Sequence, residues 1–175
     1  LIIKDSIAKK EKRIAPDLVL AADGPLSPTA KAYGFYHAPR INFYGIQATV
    51  EGAFAPHTIL TYFGPKVCPG LFAWVVPESS TIARVGLATV KNSKSYFDKF
   101  MEEHHFVAKE IQAGTIPVYH PQQKLRQENC YLVGDAAGYV KATNLGGLVP
   151  GLQQARILAD CIINKKDYEV EVATL

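Results

Sequence analysis

One tryptophan, one methionine and three cysteines are all that the chain has of its scarcest side chains, and none of its apolar runs is long. No run reaches the roughly 20 apolar residues that crossing a bilayer requires, so no transmembrane segment is expected. Cys68, Cys130 and Cys161 share no metal-type spacing and form no even disulfide framework. They read as free thiols of a reducing compartment, and a cytoplasmic protein is expected. Cys130 and Cys161 lie in apolar surroundings and suit a core. Cys68 precedes Pro69-Gly70 in a loop and is a minor candidate for a reactive thiol. The histidines (His37, His57, His104, His105, His120) are scattered, and adjacent His104 and His105 would face different directions on a helix. No zinc or iron site is expected. A net charge of +3 is too small to argue for nucleic acid. The basic cluster Lys9-Lys10-Glu11-Lys12-Arg13 reads as a solvated hairpin. No Ser–His–Asp or Cys–His order and no carboxylate pair points to a hydrolase, and no catalytic residue can be named.

What is present is ample material for a core and many turns: 48% hydrophobic residues, 13 glycines and 11 prolines in 175 residues. Leu18 to Ala22 is a continuous apolar run, the pattern of a strand covered on both faces in a parallel sheet. Residues 43–51, 58–63, 71–76 and 81–89 are β-prone runs split by turn residues, which predicts an antiparallel sheet. Ser95 to Ala113 has helical spacing (Phe97, Phe100, Met101, His104, Val107, Ala108, Ile111), with Ser95 as a cap and Gly114 as a stop. Further strand is expected at 115–119 and 131–133. A final helix over 148–164 carries an apolar set wide enough to be buried on more than one side. Pro150 is tolerable there only in the first turn.

Two segments point to chemistry. In Cys130-Tyr131-Leu132-Val133-Gly134-Asp135-Ala136-Ala137-Gly138 an apolar run ends in small residues around one carboxylate, and Gly146-Gly147 follow before the last helix. Small residues let a large ligand approach the backbone, and free N–H groups at a helix start attract negative charge. Asp135 is placed to accept hydrogen bonds from sugar-type hydroxyls. Asp17-Leu18-Val19-Leu20-Ala21-Ala22-Asp23-Gly24-Pro25-Leu26-Ser27 is a second strand running into an acidic-glycine turn. Taken alone, each also reads as an ordinary turn.

Together these segments resemble the Asp-Gly and Gly-Asp motifs of FAD-dependent oxidoreductases of the para-hydroxybenzoate hydroxylase class. Within that class the middle of the chain is similar to the geranylgeranyl reductase family. The residues that carry the likeness are Tyr62-Phe63-Gly64, Pro69-Gly70-Leu71-Phe72-Ala73-Trp74-Val75-Val76-Pro77 and Ala83-Arg84-Val85-Gly86-Leu87. The likeness covers roughly residues 16–164.

The resemblance implies an α/β fold with α+β character. A partial FAD/NAD(P)-binding layered domain (1–37 and 126–166) would carry an inserted antiparallel substrate domain (38–125), with 167–175 as a tail. FAD would contact Asp23, Gly24, Gly134, Asp135, Ala136, Gly146 and Gly147, with Asp135 on its ribityl chain. The N–H groups of Gly146 and Gly147 would face the flavin's pyrimidine edge. Leu145 stands where the family commonly has the first of three glycines. Tyr62, Phe63, Pro69, Gly70, Phe72 and Trp74 would line the substrate wall, against the simpler reading of a packed sheet. The family's Gly-x-Gly-x-x-Gly loop for the FAD pyrophosphate has no counterpart here. The chain is therefore expected to be the C-terminal portion of a longer flavoprotein, inactive by itself.

The implied reaction is reduction of C=C bonds in a geranylgeranyl or polyprenyl lipid, with NAD(P)H or a ferredoxin-type protein as electron donor and contact at a membrane periphery. A flavin monooxygenase or halogenase of the same fold is the nearest alternative. Pro69 to Trp74 and Lys141-Ala142-Thr143 favour the reductase. A non-catalytic lipid- or partner-binding module is the alternative from another class.

Overall fold

The structure is a computed structural model that describes residues 2–4, 7, 9–36 and 40–175. His37 and the domain boundary expected after it lie outside the described residues. In chain order the elements are β1 (Ile2–Lys4), β2 (Glu11–Arg13), β3 (Val19–Ala21), α1 (Pro28–Ala32), β4 (Asn42–Glu51), β5 (Leu60–Gly64), β6 (Cys68–Pro77), β7 (Ile82–Thr89), α2 (Ser93–Glu103), β8 (Ala108–Pro117), β9 (Arg126–Gln127), β10 (Cys130–Leu132), a 3-10 turn (Gly134–Ala137), α3 (Leu148–Asn164) and α4 (Tyr168–Val172). They form two compact units, one of Leu1–His37, His120–Tyr139 and Leu148–Leu175, the other of Ala38–Tyr119 and Val140–Gly147.

The second unit is a five-stranded antiparallel sheet in the order β5-β6-β7-β4-β8. Alternation decides its faces. Ala48, Val50, Ala73, Val75, Val85 and Leu87 point to one side and are buried. Phe97, Phe100 and Met101 of α2, spaced three and four apart, close over them as one apolar stripe.

The helix expected over Ser95–Ala113 is shorter than its periodicity suggests. It starts after Asn92 and ends at Glu103, and His105 then takes φ +56°. Residues 108–117 instead form β8, paired with β4 from Asn42↔Pro117 to Val50↔Ala108. Isolated periodicity could not register that β4 has an edge whose N–H and C=O groups need partners.

The first unit is layered. A hairpin of β1 and β2, solvent-exposed along β2, stands as its own ribbon. A three-stranded sheet, β3-β10-β9, pairs β3 with β10 in parallel. Its core joins Ala21, Ala30, Leu132, Leu158, Cys161 and Tyr168.

Three expectations change here. Leu18 and Leu20 are 39% and 53% exposed, so the β3 run is not covered on both faces within this unit. Only one stripe of α3 is buried (Gln154, Leu158, Cys161), while Leu148, Leu152 and Ile163 are exposed. Residues 167–175 are no free tail. Asp167 caps α4, Tyr168 and Val172 are buried, and the Tyr168 hydroxyl donates to the Leu132 carbonyl at 2.8 Å. Burial pushes that phenol's pKa well above its ordinary value.

Candidate functional site

Parallel pairing puts both acidic turns at one end of the first unit's sheet. The register runs Cys130↔Val19, Tyr131↔Leu20, Leu132↔Ala21. Val133 N–H then donates to the Ala21 carbonyl at 3.1 Å. The chain therefore leaves both strands in the same direction, into Asp23-Gly24 from β3 and Gly134-Asp135 from β10.

Asp23 spends its carboxylate locally. Ser27 Oγ donates to Oδ1, and the Thr29 N–H donates to Oδ2 at 3.1 Å. Ser27 Oγ in turn accepts from Ala30 N–H at 2.8 Å, so the pair caps α1. Partial burial raises the Asp23 pKa, but the hydrogen bonds from Ser27 and Thr29 outweigh it and the net shift is downward. The amide this aspartate holds here is that of Thr29 in the first turn of α1. Gly24 adopts φ +86° with open space where a Cβ would stand.

Gly134 likewise adopts φ +62° with nothing near its Cβ position. Its N–H donates to Gln154 Oε1 at 2.7 Å. Asp135 is half-buried in the first turn of the 3-10 segment, and its carbonyl accepts from Gly138 N–H at 3.0 Å. Ala136 is buried and its carbonyl accepts from the Tyr36 hydroxyl at 2.9 Å. Sequence reasoning missed Gln154 and Tyr36. The signal for Gln154 was its spacing of four and seven from Leu158 and Cys161, which puts it on the buried stripe of α3.

In the second unit the aromatic residues divide between the two faces of the sheet. Tyr62 packs against Phe100 and His104, with ring centroids 5.0 and 4.9 Å away, and belongs to the core under α2. Phe63, Phe72 and Trp74 share the face opposite α2, with centroids 5.6 Å apart for Phe63–Phe72 and 6.1 Å for Phe72–Trp74. Tyr62 is therefore not brought together with them. Pro69, Gly70 and Leu71 fall between the Gly64↔Cys68 and Phe63↔Phe72 pairs as a bulge in β6, with Gly70 at φ +91°. On the same face Trp74, Gly45, Gln47 and Gln112 line a cavity of about 250 Å³. Gln47 Nε2 donates to Gln112 Oε1 at 3.0 Å.

Cys68 is buried, its thiol donates to the Ala88 carbonyl at 3.2 Å, and burial raises its pKa. That removes the reactive-thiol reading.

The glycine pair differs from expectation at one point. Gly146 N–H donates to Asn144 Oδ1 at 3.0 Å and is already engaged. Gly147 directly precedes α3. Leu145 is buried and takes φ +57°, the left-handed conformation a glycine adopts freely. Leu145 thus holds the backbone geometry that a glycine would adopt there.

Most of these donor and acceptor groups are engaged within the protein, and what would admit a large ligand such as a flavin nucleotide is the open space beside the backbone. Two positive-φ glycines leave backbone open where Cβ atoms would intrude, and Asp135 supplies a carboxylate beside them.

A reductase from Methanothermobacter thermautotrophicus named digeranylgeranylglycerophospholipid reductase 2 is 33% identical over 152 residues, covering 82% of this chain and 40% of that protein. The protein of the same name from Methanosphaera stadtmanae is 29% identical over 184 residues, covering 96% and 47%. The chain belongs to the geranylgeranyl reductase family. It spans less than half the length of the curated relatives it matches. No protein-family model matches it.

A crystal structure of a geranylgeranyl bacteriochlorophyll reductase-like protein from Thermoplasma acidophilum shares this chain's fold over 98% of the chain and 50% of its own, with TM-score 0.78 and 21% identity. The flavin-dependent halogenase CmlS shares the fold less closely, with TM-score 0.62 and 15% identity over 86% of this chain and 31% of its own. The fold is thus mixed α/β, a partial FAD/NAD(P)-binding layered domain with an antiparallel sheet. Among the described residues, no helix is long and apolar enough to cross a membrane.

Proposed function

We propose that this chain is part of an FAD-dependent oxidoreductase that reduces C=C bonds of a geranylgeranyl or polyprenyl lipid. The observation that carries the reading is the parallel β3–β10 pair, which brings two separate acidic-glycine turns to one end of a sheet. Relatives named as lipid reductases supply the substrate class.

Each part of the chain has a limited task. Asp135 accepts hydrogen bonds from the ribityl hydroxyls of FAD, and Gly24 and Gly134 leave room for the ligand beside the backbone. Gly147 N–H at the start of α3 favours negative charge. When bound, FAD supplies the hydride chemistry, with NAD(P)H or a ferredoxin-type protein as the source of electrons. Phe63, Phe72 and Trp74 hold hydrocarbon and exclude water. Each buried carbon of an isoprene unit contributes ~0.8 kcal/mol, so a long tail is held without a polar anchor. Exposed Ile59 just before β5, and Leu60 and Phe63 within it, suit contact with a membrane periphery, where such a lipid resides.

The full-length protein, reduced anaerobically with dithionite, should convert a digeranylgeranyl-glycerol lipid to products that gain two hydrogens for each bond reduced, read by mass spectrometry. An oxygen-dependent hydroxylated or halogenated product would replace this reading with the monooxygenase or halogenase alternative. Saturable lipid binding with no bound flavin would replace it with a non-catalytic module.

A further inference from the structure

We infer that Gln154 is a positioning residue of the flavin site, acting through the backbone of Gly134. This rests on the flavoprotein reading above. Gln154 is fully buried on the stripe of α3 that also carries Leu158 and Cys161. Its Oε1 accepts from Gly134 N–H at 2.7 Å. Its Nε2 is buried with no partner among the described residues.

A carboxamide that leaves its donor unmet in a core opposes folding. An unbranched apolar side chain such as methionine would fill the same stripe and remove that donor, but would leave the Gly134 N–H without its acceptor. Stability alone therefore gives glutamine no clear advantage here, and the bond to Gly134 is what the side chain achieves.

Gly134 is where such a bond has most effect. It sits at φ +62° in the connection from β10 to the 3-10 turn, a backbone with more freedom than any other residue allows. A second contact reaches it from the same helix. Gly151, three residues before Gln154 and on the same side of α3, lies beside the turn, where a Cβ would come into contact with Gly134 Cα at 3.4 Å. Gln154 and Gly151 together hold the turn from one side. Asp135, the next residue, inherits its position from that turn.

The test compares the full-length protein with its Gln154→Met and Gly151→Ala variants, measuring FAD dissociation constants by titration of apoprotein and the apoprotein melting temperature. Gln154→Met should raise the FAD dissociation constant by roughly tenfold, the cost of one misplaced charge-assisted contact, while its melting temperature changes little, because one unmet donor replaces another. Gly151→Ala should weaken FAD in the same direction without loss of stability. A methionine variant that binds FAD like the wild type overturns the inference. So does one that loses affinity and stability together, the pattern of a merely structural role. If the methionine variant does not fold, wild-type affinity in Gly151→Ala overturns the inference and weakened affinity sustains it. Wild-type protein that binds no FAD would overturn the flavoprotein reading as well.

Discussion

Trp74 and Gly86 face each other across β6 and β7, and the indole lies over the glycine so closely that a Cβ at position 86 would stand 2.6 Å from Trp74 Cζ2. The same Cβ would meet Gln47 Cβ at 2.6 Å and the Ile46 carbonyl at 2.7 Å. The missing side chain is what lets the ring lie against the face of the sheet opposite α2.

Gly86→Ala should therefore move the indole and strain the β4–β7 ladder, because one of the blocking atoms is backbone. Overpacking of this kind costs ~1–3 kcal/mol. Denaturant unfolding would show the lost stability. Emission from Trp74, the only tryptophan in the chain, would report the displaced ring. Unchanged emission would mean that the ring does not depend on Gly86.

In the full-length protein, Asp135→Ala should weaken FAD binding. Loss of a hydrogen bond to a charged group is worth ~1.5–3 kcal/mol, roughly a tenfold rise in dissociation constant or more. Fluorescence titration of apoprotein measures it, and equal affinities would take Asp135 out of the site.

Asp23 should make stability depend on acid. Its pKa in the folded chain lies below the ordinary 3.8: burial raises it, and the hydrogen bonds from Ser27 and Thr29 more than reverse that. A carboxylate depressed on folding contributes stability above its unfolded pKa, and that contribution is lost as pH falls through the folded value. Asp23→Asn should accordingly melt at a lower temperature than the wild type near neutrality, and the gap should close in strong acid. A gap independent of pH would show that the charge on Asp23 is not what stabilises α1.

The three thiols should resist labelling until the chain unfolds. Cys68, Cys130 and Cys161 are all buried. Burial is the first cause of their raised pKa values, and Cys130, which also feels the charge of Asp23, is pushed up to about 11. Thiolate is the reactive form. Peptide mapping after brief alkylation at pH 8 should find Cys68 unmodified in native protein and modified in denaturant. Rapid native labelling of Cys68 would restore the reactive-thiol reading.

Sequence alone determined the element types wherever local pattern and tertiary context agreed. The β-prone runs of β4, β6 and β7 appear as strands within a few residues of where composition and turn residues put them. The buried Phe97, Phe100 and Met101 follow from helical spacing. The acidic-glycine turns after β3 and β10 were visible as motifs, because a strand followed by small residues and a carboxylate is a local pattern. Residues 108–113 were not readable in this way. Their spacing suits a helix, and only the unpaired edge of β4 made them a strand.

The site depended on tertiary structure still more. Tyr62 and Phe63 are neighbours in sequence, and alternation sends them to opposite faces, but which face α2 covers is settled by packing. Asp23 and Asp135 are 112 positions apart, and parallel pairing across that separation has no local signature. The same holds for Gln154 and Gly134. A glutamine at helical spacing looks like any polar residue in an apolar stripe until the fold brings its carbonyl oxygen to an amide that sheet and helix leave unpaired. Local sequence carries propensity and period, whereas the partners of a buried polar group are chosen only when distant segments meet.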